Sequence, residues 1–198
     1  MYRALVDTSI WANTDTLLTR DGAKAAGEML ESRLKACKSR RFDALLGAEF
    51  SNDPTAVARH VKSFLASCSA QFEPAAAYFE MNGFDINPDR WYFDSFAYAE
   101  YGEDHEDLDW LSDWSSGDYE QLTLTGLERV QEAFDWYSNH DGHKEADAKQ
   151  AGEVANLLTM VRFVSLFERA ASLSDFPHDI PILATAHDFD IVRRFNSD

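Results

Sequence analysis

The residues with most capacity for chemistry are carboxylates, and they are bunched. Between Asp94 and Glu120 the chain carries ten acidic side chains and neither a lysine nor an arginine. Within that stretch, Glu103-Asp-His-Glu-Asp-Leu-Asp-Trp-Leu-Ser-Asp-Trp114 interleaves acids with Leu108, Trp110, Leu111 and Trp114. Three readings fit such a run. It can hold a divalent cation, or it can form a solvated loop whose four apolar side chains tuck into the core. It can also meet a basic partner surface, where charge steers the approach and rings supply affinity. The last reading selects Asp104, Glu106, Asp107, Asp109, Trp110, Asp113 and Trp114 as binding residues, within a surface running from about residue 85 to 120.

Two further motifs carry ligand-type residues. Asp85-Ile-Asn87-Pro-Asp89 opens like a calcium loop, in which alternate oxygens converge on one cation. However, Arg90 and Phe96 stand where an EF-hand needs glycine and a bidentate glutamate, so a polar turn closed by Asx hydrogen bonds is the expectation. His140-Asp-Gly-His143 places two imidazoles in a glycine-containing link between helices, without a third ligand at fixed spacing, and reads as a solvent-facing loop rather than a zinc site. Cys37 and Cys68 each fall on the apolar face of an expected helix and read as reduced core thiols. No phosphate-cradling glycine loop, G-x-S-x-G, H-E-x-x-H or paired C-x-x-C occurs. Accordingly no catalytic residue, metal site or cofactor is assigned from the residues themselves.

The net charge of −17 is segregated along the chain. Residues 1–70 carry 10 basic and 8 acidic side chains; residues 71–142 carry 18 acidic ones against Arg90 and Arg129; residues 143–198 carry 9 acidic against 6 basic. A field of that sign in the middle third repels phosphate backbones and anionic membrane surfaces, and draws a basic partner or a cation. Direct nucleic-acid or membrane binding is therefore not expected. No stretch approaches the roughly 18 uninterrupted apolar residues of a membrane span, and the N-terminus has no long apolar run after a basic one, so the cytoplasm is the expected location.

The elements that must position these residues follow from periodicity. At 198 residues, 45% hydrophobic and 13% aromatic, the chain suits one well-cored domain. Ala4 to Val6 reads as a short strand. Ala26, Met29, Leu30, Leu34 and Cys37 recur at helical spacing from Asp21 to about Ser39. Alternation over Phe42–Phe50 predicts a strand with Phe42, Ala44, Leu46, Ala48 and Phe50 on one face. Asp53 as cap and Pro54 as first residue predict a helix with Val57, Val61, Phe64, Leu65 and Cys68 as its stripe. Phe72–Met81 and Trp91–Tyr101 read as an antiparallel pair. The second carries large rings on both faces, as an inner strand does when helices cover one side and the other is partly covered. Thr125-Gly-Leu-Glu128 reads as a capping box opening a helix with Leu127, Val130, Phe134 and Tyr137 buried. A long helix from about Glu145 to Ser172 has a wide apolar band, and Ile182–Thr185 and Phe189–Phe195 close the chain as strands. The expected fold is α+β or α/β: a single-layer, mixed, mostly antiparallel sheet of about four or five strands packed with about four helices.

The two ends carry a resemblance of their own. Ala4-Leu-Val-Asp7-Thr8-Ser9-Ile-Trp11 resembles the opening of a PIN-domain ribonuclease, and Pro181-Ile-Leu-Ala-Thr-Ala-His-Asp188-Phe189 is similar to that family's closing strand and acidic loop. The resemblance covers about twenty residues, the long aromatic middle has no counterpart in that family, and the helix before the last strand lacks its short acidic-alanine pattern. It implies three or four carboxylates around one or two divalent ions that activate water for phosphodiester cleavage, with Asp7, Glu49, Asp147 and Asp188 as the candidates. Against it stands the reading that the residue types and charge favour: an acidic, non-catalytic interaction module of inhibitor, antitoxin-like or nucleic-acid-mimicking type.

Overall fold

A computed structural model describes residues 8–83, 87, 89–101 and 108–195. The strand expected at residues 4–6 lies outside them. Among the described residues, four helices and five strands form an α+β fold with one mixed, mostly antiparallel open sheet, as the periodicities predict.

The helices are α1 (Thr8–Ala36), α2 (Pro54–Ser69), α3 (Glu128–Asn139) and α4 (Ala146–Ala171). α2 starts where its residues dictate: Asp53 is extended, its Oδ1 accepts the Thr55 N–H at 2.9 Å, and Pro54 follows with no N–H to satisfy. α4 is buried on nearly every side over Leu157–Val164, so the other three helices pack around it rather than beside it. The strands are β1 (Ala76–Met81), β2 (Tyr92–Tyr98), β3 (Leu122–Thr123), β4 (Ile182–Ala186) and β5 (Arg193–Phe195), in the order β3-β2-β1-β4-β5. β1 pairs antiparallel with β2, Tyr78 opposite Phe96, and parallel with β4, Tyr78 beside Leu183.

The helices cover one face of this sheet. Phe79 and Phe93 meet Phe64, Phe163 and Phe167 at ring separations of 5.3 to 5.9 Å. On the other face a smaller cluster of Ala76, Tyr78, Tyr98 and Leu183 is roofed by Phe96, Tyr101, Trp110, Leu111 and Val192. Cys37 and Cys68 are buried free thiols, and burial pushes both above the ordinary cysteine value, which keeps them inert. Among the described residues no helix is long and apolar enough to cross a membrane.

Three expected elements are corrected. Phe42–Phe50 is not a strand: Asp43–Leu45 is a 3-10 turn, Gly47 has φ 71°, and the buried residues are Phe42, Leu45 and Phe50. Its apolar residues alternate, but burial follows a turn's geometry rather than a pleat's. The helix expected from Asp21 begins instead at Thr8 and breaks at Gly22 (φ 82°, ψ 177°), a conformation open to glycine but not to side-chain-bearing residues. Past the break, the Ala23 N–H donates to both oxygens of Glu168 at 3.0 and 3.2 Å, a cap supplied by α4. The capping box does not form: Leu127, not Thr125, occupies the cap position of α3, and no side chain caps it. Glu128 reaches back to accept the Gly126 N–H at 2.8 Å, but α3 begins at Glu128 itself, and Thr125 bonds to Ser51 and Asn52 instead.

A buried cation ties the helical layer together. Arg162 on α4, its side chain 8% exposed, donates from Nη1 to Glu49 Oε1 at 2.6 Å and from Nη2 to Glu31 on α1. Burial pushes the Glu31 carboxyl up; the Gly47 N–H, the Arg162 charge, and hydrogen bonds from Lys35 and Arg162 outweigh it and hold the group below the ordinary glutamate value. Arg162→Met leaves two carboxylates facing each other without their cation, and is expected to cost about 3–5 kcal/mol in urea unfolding. Because the folded Glu31 value is depressed, its stabilisation is present above the unfolded value and lost as pH falls through the folded one. The wild-type protein is therefore expected to lose stability below about pH 4, with a shallower slope in Glu31→Gln.

Candidate binding cleft on the open face of the sheet

Strand alternation sends Ala77, Phe79 and Met81 of β1 into the helical core and Tyr78 and Glu80 to the other face. On β2, Phe93 and Ala97 point to the helices, so Asp94, Phe96 and Tyr98 share the face of Tyr78. The register then stacks Tyr78 on Phe96, with centroids 5.9 Å apart and planes at 25°, and sets Glu80 opposite Asp94. Like charges directly opposite on a sheet destabilise the pairing, and each carboxylate finds a donor off to its side. Asp94 Oδ1 accepts Gln121 Nε2 at 2.9 Å, and Gln121 Oε1 accepts Arg90 Nη2 at 3.2 Å. Glu80 Oε1 lies 3.0 Å from His187 Nδ1, which must carry the proton in that bond since a carboxylate only accepts.

His187 reaches Glu80 because β4 runs parallel to β1. Its N–H donates to the Met81 carbonyl at 2.9 Å, just past the strand end, and Asp188 at φ 64° turns the chain back toward β5. The same turn brings Asp188 to the rim, its Oδ1 3.7 Å from His187 Nε2 and its side chain 87% exposed. Opposite, the 3-10 turn Asp109–Ser112 is pinned to the sheet by the Tyr98 hydroxyl, which donates to the Leu111 carbonyl at 2.9 Å. Trp114 follows that turn and leans on Phe96 at 5.0 Å, still 51% exposed. It is the large apolar side chain that the described surface displays.

These groups line a cleft of about 370 Å³ formed by Tyr78, Glu80, Phe96, Leu108, Leu111, Trp114, Asp188, Phe189 and Asp190. Its walls are rings and its polar groups carboxylates; none of the lining residues is a lysine or an arginine. Burial pushes the Tyr78 and Tyr98 phenols well above the ordinary tyrosine value, and the Glu80 charge adds to both, Tyr78 also donating a hydrogen bond to Glu80.

The residues singled out from the sequence meet different fates. Trp114 stands on the cleft. Trp110 is half-buried, its ring 4.7 Å from Tyr98 and 5.3 Å from Tyr101, so it fastens the acidic segment to the sheet. Asp109 and Asp113 are exposed. Asp104, Glu106 and Asp107 lie outside the described residues, as do Asp7 and Asp85. Of the carboxylates implied by the nuclease resemblance, Glu49 is bound to Arg162 in the helical layer, Asp147 sits 3.7 Å from Lys38, and Asp188 is at the cleft rim on the sheet's other face. Among the described residues no group of three histidine, cysteine or acidic side chains is placed to hold a metal ion. Asn87, within the calcium-like segment, donates to Asn82, and His143 Nδ1 lies 3.1 Å from the Tyr137 carbonyl.

Sequence reasoning missed Tyr78, Glu80, Phe96 and His187. Glu80 and His187 meet through the parallel β1–β4 pairing, which leaves no local signal, while Tyr78 meets Phe96 across the antiparallel β1–β2 pair. It also missed a second cleft, about 460 Å³, between α2 and residues 119–123, lined by Arg59, His60, Tyr119 and Glu120 among others. There His60 Nε2 lies 3.1 Å from Ser95 Oγ, an arrangement reminiscent of a nucleophile and its base. Ser95 is buried and does not line the cleft, and His60 is wedged between Phe93 and Tyr119 at 5.1 and 5.3 Å. Burial lowers the His60 value, with Glu120 opposing, so a neutral imidazole satisfies a core hydroxyl.

No family model matches the chain, and neither a curated protein nor a solved structure matches it.

The raised phenols give a direct check on the cleft floor. Tyr78 and Tyr98 are expected to stay protonated in an ultraviolet alkaline titration until the protein unfolds, while exposed tyrosines ionise near pH 10. Since their folded values are raised, they stabilise fully below that pH, and stability is expected to fall as pH climbs beyond it. Normal ionisation of all seven tyrosines in the folded protein would show the floor to be open to solvent.

Proposed function

We propose that the protein is a binding module rather than a catalyst, and that its acidic, aromatic surface over about residues 85 to 120 engages a basic protein partner. The observation that carries this reading is Trp114: a half-exposed indole against Phe96, which itself stacks on Tyr78, beside a cleft whose charged lining residues are all acidic. An aromatic anchor framed by carboxylates supplies affinity at its centre and electrostatic steering around it. The partner is then of the kind met by inhibitors, antitoxin-like proteins or nucleic-acid mimics, and the chain itself binds neither nucleic acid nor membrane through this face. Cytoplasmic residence belongs to the same reading, supported by two buried thiols left unpaired.

The charge component is tested by changing Glu103 and Glu106 to Gln and Asp104, Asp107 and Asp109 to Asn together. Capture of a defined polycationic peptide by the native protein is expected to weaken as ionic strength rises past about 0.15 M. The neutralised protein is expected to bind roughly tenfold more weakly at low salt, mainly through a slower association rate. Equal capture by the two proteins in moderate salt would overturn the electrostatic claim.

A further inference from the structure

Resting on that reading, we infer that the cleft receives an arginine side chain of the basic partner, its guanidinium seated between the Trp114 ring and the Glu80 carboxylate. Three features of the cleft select this group. The first is the wall. Phe96 lies 5.0 Å from Trp114, tilted at 53°, and stacks on Tyr78, so one side of the cleft is a supported run of aromatic rings whose outermost member remains half open to solvent. A cation over such a face gains ring attraction on top of apolar contact.

The second is the acceptor. Glu80 is 23% exposed and is held by His187 Nδ1 at 3.0 Å. A carboxylate fixed in this way has lost its freedom before a ligand arrives, so an incoming donor need not immobilise it. Asp188 adds a second carboxylate at the rim, in a backbone conformation that holds the turn away from the strand. The third is size. About 370 Å³ lies at the small end of ligand clefts, enough for one long side chain entering from a partner surface and small for a bulky cofactor.

Arginine is preferred over lysine for a geometric reason. The guanidinium is a weakly hydrated plane that stacks on a ring while its edge donates in fork geometry to a carboxylate. An ammonium is a strongly hydrated point charge and uses the stack poorly. Anionic ligands meet Glu80 and Asp188 at the entrance and are repelled.

The test uses three peptides of one length in which glycine alternates with arginine, with lysine or with citrulline, titrated into the full chain by calorimetry and followed by the indole N–H resonances. The arginine peptide is expected to bind roughly tenfold more tightly than the lysine peptide, and the citrulline peptide, with the shape but not the charge, to bind at least as weakly as lysine. The Trp114 resonance, assigned by its loss in Trp114→Phe, is expected to move on addition of the arginine peptide. Trp114→Ala is expected to erase the arginine preference, leaving lysine binding within about twofold, because the residue is at the surface and the fold does not need it. Glu80→Gln is expected to act in the same direction, and Glu132→Gln, an exposed change on α3 in the helical layer, to leave all three affinities unchanged. Equal affinity for arginine and lysine peptides, or an arginine preference that survives Trp114→Ala, would overturn the cleft assignment while the basic-partner reading stands. If neither the arginine nor the lysine peptide binds at low salt, both readings are overturned.

Discussion

Arg162 is a cation placed inside the helix around which everything else packs, and two carboxylates from elsewhere in the chain must come to it. That requirement organises the fold. Glu31 brings α1 against α4, and Glu49 brings the turn that follows Gly47. About two helical turns further along α4, Arg169 donates to the Phe50 carbonyl at 2.9 Å, so the same helix grips the next residue of that segment. From there the linkage passes outward: Ser51 N–H donates to the Thr125 carbonyl at 2.8 Å, and Asn52 holds the Thr123 carbonyl at 2.8 Å, which seats β3 beside β2. Removing a partner from a buried charge cluster costs far more than such a cluster contributes over an apolar replacement, so its value lies in specifying one arrangement.

The two faces of the sheet divide the work. The helical layer holds the rings of Phe64, Phe79, Phe93, Phe163 and Phe167 and uses its cations locally: Lys38 on Asp147, Lys35 on Glu31, Arg40 near Asp43, and Arg41 over the Trp136 ring at 4.3 Å. The open face holds a smaller set of rings, and the carboxylates Glu80 and Asp94 sit among them, answered by an imidazole and an amide rather than by a lysine or arginine. The open face has cations too, Arg90 over the Tyr92 ring at 4.6 Å and Arg194 over the Tyr101 ring at 5.5 Å. Neither lines the cleft, whose charged residues are all acidic, and that local field is a physical condition for steering a basic partner.

How much of this was legible in the sequence depended on range. Asp53-Pro54 announces α2 because cap and first residue are adjacent. The alternating rings of β1 and β2 and the long band of α4 announce themselves through periods that a short window contains. The break in α1 was hidden because the group that caps it, Glu168, lies 145 residues away. The Phe42–Phe50 segment misled for the opposite reason: a local alternation was present, but contacts to Arg162 and Arg169 decided its path. In the cleft, Trp114 was readable as an aromatic among acids. Glu80 and His187 were not, since their meeting depends on a parallel pairing between strands about a hundred residues apart.

Among the described residues the two edge strands are short, with two residues in β3 and three in β5. A border that short exposes few unpaired amide and carbonyl groups, and on one side it carries Arg193 and Arg194, so another chain finds little backbone to zip onto. A protein that shows an indole to solvent therefore restricts what it can recruit through main-chain templating, and leaves side-chain complementarity as the route by which neighbours are chosen.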